Sequence, residues 1–227
     1  MLELKRVSKK YIEGKSEHIV LNNLNLSVKE GEIIILFGKS GSGKSTLLNI
    51  ISGIDTPDSG NVLIGGADIT RLDEKERTLI RRNKIGFIFQ FFNLIPTLTV
   101  KENLLLPLEL SEIKNEEEKI NSILGELELL ERSNTYPDKL SGGEQQRIAI
   151  ARALIHEPDI ILADEPTGNL DYETSLQIID LLDRVVKKEG KTMIMVTHSR
   201  DVIGLADRIF SLREGRLKDM KKESLFE

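Results

Sequence analysis

The order of hydrophobic and polar residues along the chain predicts an α/β protein with two kinds of strand. Residues 2–7 and 19–28 alternate between apolar and polar positions, which is typical of antiparallel strands with one face in solvent. Three other runs are apolar throughout, as expected for parallel strands that helices cover on both faces. These runs are Ile33–Phe37, Ile160–Ala163 and Met193–Val196.

Helical periodicity fills the segments between these strands. Apolar residues recur at three- and four-residue spacing over 115–131 and over 172–188, which predicts a helix in each segment. Asn115 is followed three residues later by Glu118, and this spacing predicts a capping box at the start of the first helix. Strands that alternate with helices indicate an α/β core.

The middle of the chain divides this prediction into a core and a lobe. From about 91 to 157 the pattern is helical and contains no convincing strand. We therefore expect a single domain over 1–227, with a core at about 1–90 and 158–227 and an inserted helical lobe at about 91–157. The core combines a mostly parallel central sheet with an antiparallel β subdomain.

Composition and charge exclude several classes of protein. The 227 residues are 39% apolar, enough for a substantial core. The chain has no cysteine, which excludes disulfides and thiolate metal sites. The segment Met1–Lys5 lacks an apolar signal sequence and no run reaches membrane-spanning length, so we expect a soluble, cytoplasmic protein. With 32 basic and 37 acidic residues, the net charge of −5 argues against a general nucleic-acid binder, and no nucleic-acid partner is expected.

A glycine-rich octet follows the first wholly apolar strand. Residues 38–45 read Gly-Lys-Ser-Gly-Ser-Gly-Lys-Ser and lead into an apolar helix that begins near Gly43. The glycines let backbone N–H groups point at an anion, and the positive end of the helix dipole strengthens the attraction. Lys44 is expected to bridge the outer phosphates, and the Ser45 hydroxyl is expected to bind Mg²⁺. The octet and the next residue predict a nucleoside triphosphate site made of Gly38, Lys39, Ser40, Gly41, Ser42, Gly43, Lys44, Ser45 and Thr46.

Two adjacent carboxylates end the second buried strand. Asp164 and Glu165 follow Ile160–Ala163 directly, and acids in this position cost free energy unless a cation lies nearby. Asp164 is expected to hold Mg²⁺ through water, while Glu165 orients or deprotonates an attacking water. The plainer alternative is that both acids cap a loop.

A second anion-binding pattern lies between these two motifs. Residues 140–147 read Leu-Ser-Gly-Gly-Glu-Gln-Gln-Arg and precede a helix over 148–155. A serine and two glycines at a helix start can bind a phosphate-sized anion, although a simple helix cap is the alternative. With this octet the chain resembles the ATP-binding subunit of an ABC (ATP-binding cassette) transporter, whose defining signature has the same form. The resemblance covers essentially the whole chain and implies a P-loop NTPase core.

The resemblance also implies a dimer and assigns roles to further residues. Two copies of the chain would meet head to tail in the presence of ATP, and Ser141, Gly142 and Gly143 of each copy would close over the γ-phosphate held by the other. Asp171, in the Gly168–Asp171 loop, would cross the dimer interface.

Three single residues match positions that surround the nucleotide in the family. Tyr11 would stack on adenine, although an ordinary strand aromatic is the alternative. Gln90 would sense Mg²⁺ and face the membrane partner, and His198 would contact the γ-phosphate. The resemblance thus implies that Lys44, Glu165 and His198 are catalytic, and that Ser45, Gln90 and Asp164 hold the metal.

The residues after Gln90 resemble one branch of the family. Residues 93–96 read Asn-Leu-Ile-Pro and residues 102–108 read Glu-Asn-Leu-Leu-Leu-Pro-Leu. These segments are similar to lipoprotein-release, macrolide-efflux and antimicrobial-peptide-resistance transporters, with the cell-division ABC ATPase a near relative. The apolar excess over 90–108 predicts a groove for a separate integral membrane permease, although a plain core is the alternative. The protein would then lie on the inner face of the cell membrane.

Taken together, the resemblance implies a Mg²⁺-dependent ATPase that powers export or mechanotransmission, with a lipoprotein, peptide or drug as cargo. The alternative is a regulatory or cell-division-type ABC ATPase without a transported substrate. DNA-organising relatives carry a long coiled coil between Lys44 and Ser141, and this segment has no sustained heptads. Two positions depart from the family pattern without removing a phosphate donor: Lys39 stands where proline is frequent, and Glu144 where glutamine is commoner.

Overall fold

Two β-sheets organise the part of the chain that the computed structural model describes, residues 1–14 and 16–221. The strands are β1 (Leu2–Glu13), β2 (Ser16–Val28), β3 (Ile33–Phe37), β4 (Ser59–Ile64), β5 (Ala67–Asp68), β6 (Ile85–Ile88), β7 (Ile160–Asp164), β8 (Thr192–Thr197), β9 (Arg208–Arg213) and β10 (Arg216–Met220). The α-helices are α1 (Lys44–Ile51), α2 (Glu74–Lys84), α3 (Val100–Leu110), α4 (Glu116–Glu126), α5 (Gly142–Leu154) and α6 (Tyr172–Lys188). Short 3₁₀ turns lie at Ile69–Arg71, Leu130–Arg132, Pro137–Lys139 and Asp201–Leu205.

The central sheet has six strands in the order β10-β9-β3-β8-β7-β6. All neighbours in it are parallel except β9 and β10, which form a hairpin. Every residue of β3 and β8 is buried, because helices and the second sheet cover both faces of the central strands. The predicted parallel strands are confirmed, and their carboxyl ends meet at one edge of the sheet.

The second sheet is antiparallel, with four strands in the order β2-β1-β4-β5. In β2, buried residues alternate with exposed ones from Leu24 to Val28, as the period-2 pattern predicts for a half-solvated strand. The buried face of this sheet packs on α1 and on one side of β3, β7 and β8. Helices α3 to α6 pack on the opposite side of the central sheet. Strand β1 runs well beyond the predicted residues 2–7, because its second half pairs with the start of β2.

Residues 91–157, all of which are described, contain helices α3, α4 and α5 and no strand, as predicted. Helix α6 also has the predicted bounds. The helix predicted over 115–131 is shorter, and its predicted capping box is wrong. Asn115 adopts a left-handed conformation (φ 64°) and its side chain makes no capping hydrogen bond, since capping requires an extended backbone. The helix ends at Glu126, and a turn at Glu128 (φ 58°) lets Leu127 and Leu129 both enter the core.

Two glycines provide a test of how the core and lobe pack. A Cβ added at Gly86 in β6 would lie 2.1 Å from the carbonyl oxygen of Ala153 in α5, whereas one added at Gly125 in α4 would meet nothing within 4 Å. We expect Gly86→Ala to lower the free energy of unfolding by about 1–3 kcal/mol or more, because backbone must shift. Gly125→Ala should raise it by about 0.5–1 kcal/mol, because alanine restricts the unfolded chain and favours helix. Urea denaturation of both variants measures the difference, and equal stabilities would contradict the packing of β6 on α5.

Candidate nucleotide-binding site

The glycine-rich loop connects β3 to α1 at the edge where the parallel strands end. Gly43 has φ 95°, and a Cβ there would lie 2.6 Å from Cγ1 of Val20 in β2. Glycine fits this position because it adopts a positive φ readily and has no side chain to clash with Val20. Lys44 begins α1 and is buried. Its Nζ donates hydrogen bonds to the carbonyl oxygens of Gly38 (2.8 Å) and Lys39 (3.3 Å). The Lys44 side chain therefore folds back toward the start of the loop, and its ammonium group is held by the loop backbone.

The acid that ends β7 lies beside the start of α1. Asp164 is half-buried, and its carboxylate interacts with the Ser45 side chain. Burial raises the pKa of Asp164, and the neighbouring Glu165 charge adds to this effect, while the Ser45 side chain opposes it. A cation here would lower that pKa again, so the pair forms a site that favours positive charge.

Glu165 continues the chain in a left-handed conformation (φ 47°), which turns it back across the neighbouring strand β8. Its backbone N–H donates to the carbonyl of Val196 (2.9 Å). Its carboxylate is almost fully buried and accepts from the backbone N–H of His198 (3.1 Å) and from His198 Nδ1 (2.9 Å). The other carboxylate oxygen lies 3.7 Å from the Nζ of Lys44. Glu165 is thus in contact with Lys44 and His198, which are far from it in sequence, because β3, β8 and β7 are adjacent parallel strands.

Tyr11 and Gln90 lie at the two sides of this group. Tyr11, in β1, keeps 41% of its surface exposed and donates its hydroxyl hydrogen to Oδ2 of Asp55 (2.8 Å). Burial raises the pKa of the Tyr11 hydroxyl, and the bond to Asp55 raises it further. Gln90 follows β6, and its carbonyl accepts a hydrogen bond from the Asn169 side chain (2.6 Å).

These residues line one cleft of about 740 Å³. Its lining residues are Tyr11, Val20, Lys39, Ser40, Gly41, Gly43, Lys44, Ser45, Thr46, Gln90, Asp164, Glu165 and His198. The structure therefore gathers most of the residues that the sequence predicted. Gly38 and Ser42 belong to the same loop and line a second cleft on its other side. The prediction omitted Val20 and Asp55, since neither belongs to a motif and only tertiary contacts bring them close.

Besides Gly38 and Ser42, four predicted residues do not line this cleft: Ser141, Gly142, Gly143 and Asp171. Ser141 caps α5 in a capping box, in which its hydroxyl accepts from the Glu144 N–H (3.2 Å) and the Glu144 carboxylate accepts from the Ser141 N–H (2.8 Å). That backbone bond is the main cause of the lowered pKa of Glu144, and Arg132, 3.1 Å away, contributes. Glu144 thus preserves the helix start that the family's glutamine would form.

The signature residues and Asp171 meet on one surface. A Cβ at Gly143 would lie 2.7 Å from Cγ2 of Thr174, and Asp171 caps α6 by accepting from the Thr174 N–H (3.0 Å). One chain therefore presents two separate features: a glycine-rich loop beside acids in one cleft, and a glycine-rich helix start that does not line it.

Comparison with known proteins decides the family. The family model described as ABC transporter matches residues 21–168. The chain belongs to the ABC transporter family. It is 48% identical over 219 residues to an uncharacterized ABC transporter ATP-binding protein of Mycobacterium tuberculosis, which covers 96% of this chain and 88% of that protein. It is 44% identical over 219 residues to the lipoprotein-releasing system ATP-binding protein LolD of Geobacter metallireducens, covering 96% of this chain and 97% of LolD.

A solved structure agrees with this assignment. The ABC cassette MJ0796 of Methanocaldococcus jannaschii, solved as a dimer in a post-hydrolysis state bound to ADP and Pi, superposes with a TM-score of 0.89 at 45% identity. The match covers 98% of this chain and 99% of MJ0796. The chain is an ATP-binding subunit of an ABC transporter and an ATPase, so the predicted family, fold class and enzyme class are confirmed. No helix within residues 1–14 or 16–221 is long and apolar enough to cross a membrane.

Proposed function

We propose that this ABC ATPase binds Mg²⁺-ATP in the 740 Å³ cleft, closes as a head-to-tail dimer and drives a separate membrane permease. The observation that carries the proposal is the contact of Lys44, Glu165 and His198 in that cleft, directly beside the phosphate loop. If Asp164 and Glu165 only capped a loop, there would be no reason for the buried Lys44 and the buried Glu165 carboxylate to lie beside each other at a glycine-rich turn.

Lys44 and the loop bind the phosphates in this proposal. The buried Nζ now donates to the carbonyls of Gly38 and Lys39. The outer phosphates of ATP offer charged oxygens in place of these neutral acceptors, so the lysine would be paired with an opposite charge. The backbone N–H groups of residues 38–46 and the N-terminus of α1 supply the remaining donors.

Glu165 and His198 organise the attacking water. The Glu165 carboxylate is held at one oxygen by the backbone N–H and the imidazole N–H of His198. Its remaining acceptor positions can orient a water in the cleft and accept the proton of that water. His198 remains largely exposed at the mouth, where its other ring nitrogen would contact the γ-phosphate. Because both residues are held before the nucleotide enters, little reorganisation is needed during the reaction.

The residues that would hold Mg²⁺ fit a hard cation. Ser45, Asp164 and Gln90 line the same cleft, and all three offer oxygen ligands. Within the described residues no group of three or more His, Cys, Asp or Glu could hold a metal, so phosphate and water oxygens must complete the coordination. When bound, Mg²⁺ neutralises the charge of the phosphates.

The second half of each site comes from a second copy of the chain. The Ser141-Gly142-Gly143 helix start lies away from the cleft of its own chain, as does Asp171. Two copies placed head to tail would set each helix start over the γ-phosphate bound by the other copy. The dimer of MJ0796 supports this arrangement.

An apolar groove of about 640 Å³ supports docking of the permease. Phe87 and Phe89 stack in it with ring centroids 4.2 Å apart, and Leu106 and Pro107 belong to the segment 90–108. Three arginines and no acidic residue are among the described residues that line it: Arg81, Arg82 and Arg152. An amphipathic helix of the permease would bury its apolar face here, which would place the ATPase on the inner face of the membrane. The likeness to LolD supports an export or mechanotransmission system for lipoprotein, peptide or drug cargo.

Capture of the permease from solubilised membranes of the native organism tests this function. Tagged Glu165→Gln protein with ATP or ADP should recover a membrane protein with few spans and a large external domain. Leu110→Glu, made in the groove on a residue 46% exposed, should abolish capture, whereas Leu130→Glu, on an equally exposed leucine outside the groove, should retain it. Recovery of soluble proteins alone would favour a regulatory ATPase and contradict the transport role.

A further inference from the structure

A network outside the motifs holds the tyrosine at the edge of the cleft. Asp55 lies in the loop between α1 and β4 and uses both carboxylate oxygens. Oδ2 accepts from the Tyr11 hydroxyl (2.8 Å), and Oδ1 accepts from the Nζ of Lys9 (2.6 Å). The same Nζ donates to the carbonyl of Thr56 (2.8 Å) and lies 5.3 Å from the centroid of the Tyr11 ring.

We propose that Asp55 is a positioning residue for the nucleotide base, and that it holds the Tyr11 ring in the orientation that stacks on adenine. This inference rests on the proposed role of Tyr11 as the adenine platform. Asp55 does not touch ATP in this proposal. It acts only through the tyrosine, and Lys9 in turn orients Asp55.

Packing alone does not orient the Tyr11 ring. With 41% of the residue exposed, the ring has room to rotate about its two side-chain torsions. The hydroxyl bond to a carboxylate selects one orientation, and a charge-assisted bond does so strongly. Burial alone would raise the pKa of Asp55, but hydrogen bonds from Lys9 and Tyr11 outweigh it and lower that pKa, so the acceptor is charged at neutral pH.

The network also ties the tyrosine to the helix that carries the phosphate loop. The backbone N–H groups of Ile54 and Asp55 both donate to the carbonyl of Asn49 in α1 (2.9 and 3.1 Å). Helix α1 begins with Lys44, so a hydrogen-bonded path joins the glycine-rich loop to the ring that would stack on the base. This path sets the separation between base and phosphates, which is the property that a site for an intact nucleotide must control.

Asp58 in the same loop provides the matched control. Its carboxylate accepts from the backbone N–H of Lys10 (2.7 Å), and its own N–H donates to the carbonyl of Ser8 (2.9 Å). It therefore ties the loop to β1 as Asp55 does, but no contact joins it to Tyr11 among the described hydrogen bonds. Asp58→Ala removes one anchor of the loop and leaves the tyrosine bond in place.

Dissociation constants for ATP and for inorganic tripolyphosphate, measured by calorimetry, separate positioning from general loop stability. We expect Asp55→Ala to weaken ATP binding by about 5- to 10-fold, since it loses a hydrogen bond to a charged group. Tripolyphosphate has no base, so its affinity should not change. Tyr11→Phe removes only the hydroxyl and should match Asp55→Ala, and the double variant should be no weaker than either single one. Asp58→Ala should bind both compounds as the parent protein does.

Three outcomes would overturn the proposal, and they are distinguishable. If Tyr11→Ala binds ATP as tightly as the parent, the adenine platform itself is wrong. If Tyr11→Ala weakens ATP binding while Asp55→Ala does not, the platform stands and its positioning by Asp55 is wrong. If Asp55→Ala weakens ATP and tripolyphosphate equally, or adds its effect to that of Tyr11→Phe, then Asp55 acts on the loop and not on the tyrosine.

Discussion

Glu165→Gln is expected to lower the rate of ATP hydrolysis by about 10²–10⁴-fold while ATP still binds. The substitution keeps the size of the side chain and an oxygen that can accept from His198, so the cleft should remain intact. It removes the group that can take a proton from the attacking water. The loss should therefore fall on kcat and not on nucleotide affinity.

Steady-state phosphate release gives the rate, and size-exclusion chromatography with ATP or ADP gives the oligomeric state. Since ATP remains intact in this variant, it should bridge two copies and trap a dimer that ADP does not support. A Glu165→Gln protein that stays monomeric in saturating ATP would contradict the head-to-tail arrangement. Hydrolysis at the parent rate would show that Glu165 is not the base.

Lys44→Ala is expected to abolish measurable ATP binding. Lys44 is the buried cation of the cleft, and charge-assisted bonds to two phosphates contribute about 1.5–3 kcal/mol each, which corresponds to about 10²-fold or more in affinity. Removing it also leaves the buried Glu165 carboxylate without its cationic neighbour at 3.7 Å.

Calorimetric titration with ATP measures this loss, and a thermal unfolding curve shows whether the variant is folded. Lys188→Ala serves as the control, because Lys188 makes an exposed ion pair with Glu126 (3.3 Å) outside the cleft, and such pairs contribute little. ATP affinity that survives Lys44→Ala in a folded protein would mean that residues 38–45 do not bind the phosphates.

The sequence predicted elements well where the cause of structure is local. The bounds of α6 follow from a strong 3.6-residue period, and the buried strands follow from continuous apolar runs. The prediction of a capping box at Asn115 was wrong, because the motif states only which residues could form the capping hydrogen bonds. Whether they do depends on the backbone conformation, and here φ is 64°.

For the site, the sequence predicted the chemistry but could not place all of its parts. Motifs predicted a phosphate loop and two acids. They lie in one cleft because strand ends in a parallel sheet share an edge. Motifs could not identify Val20, which lines the cleft, or Asp55, which contacts Tyr11, because neither residue has a local signature and only tertiary contacts bring them there. The groove likewise extends from the predicted 90–108 to Arg81 in α2 and Arg152 in α5.

The sequence alone was enough to predict the fold class, the glycine-rich loop and the acid pair, because periodicity, glycine freedom and strand-end position are properties of short segments. The three-dimensional structure was needed to show that Glu165 contacts both Lys44 and His198, and that the Ser141 helix start does not line their cleft. Contacts between distant segments depend on the order and register of the strands and on which side chains lie at the edge of the packed core. The folding of the whole chain sets these features, so no short segment of the sequence reveals them.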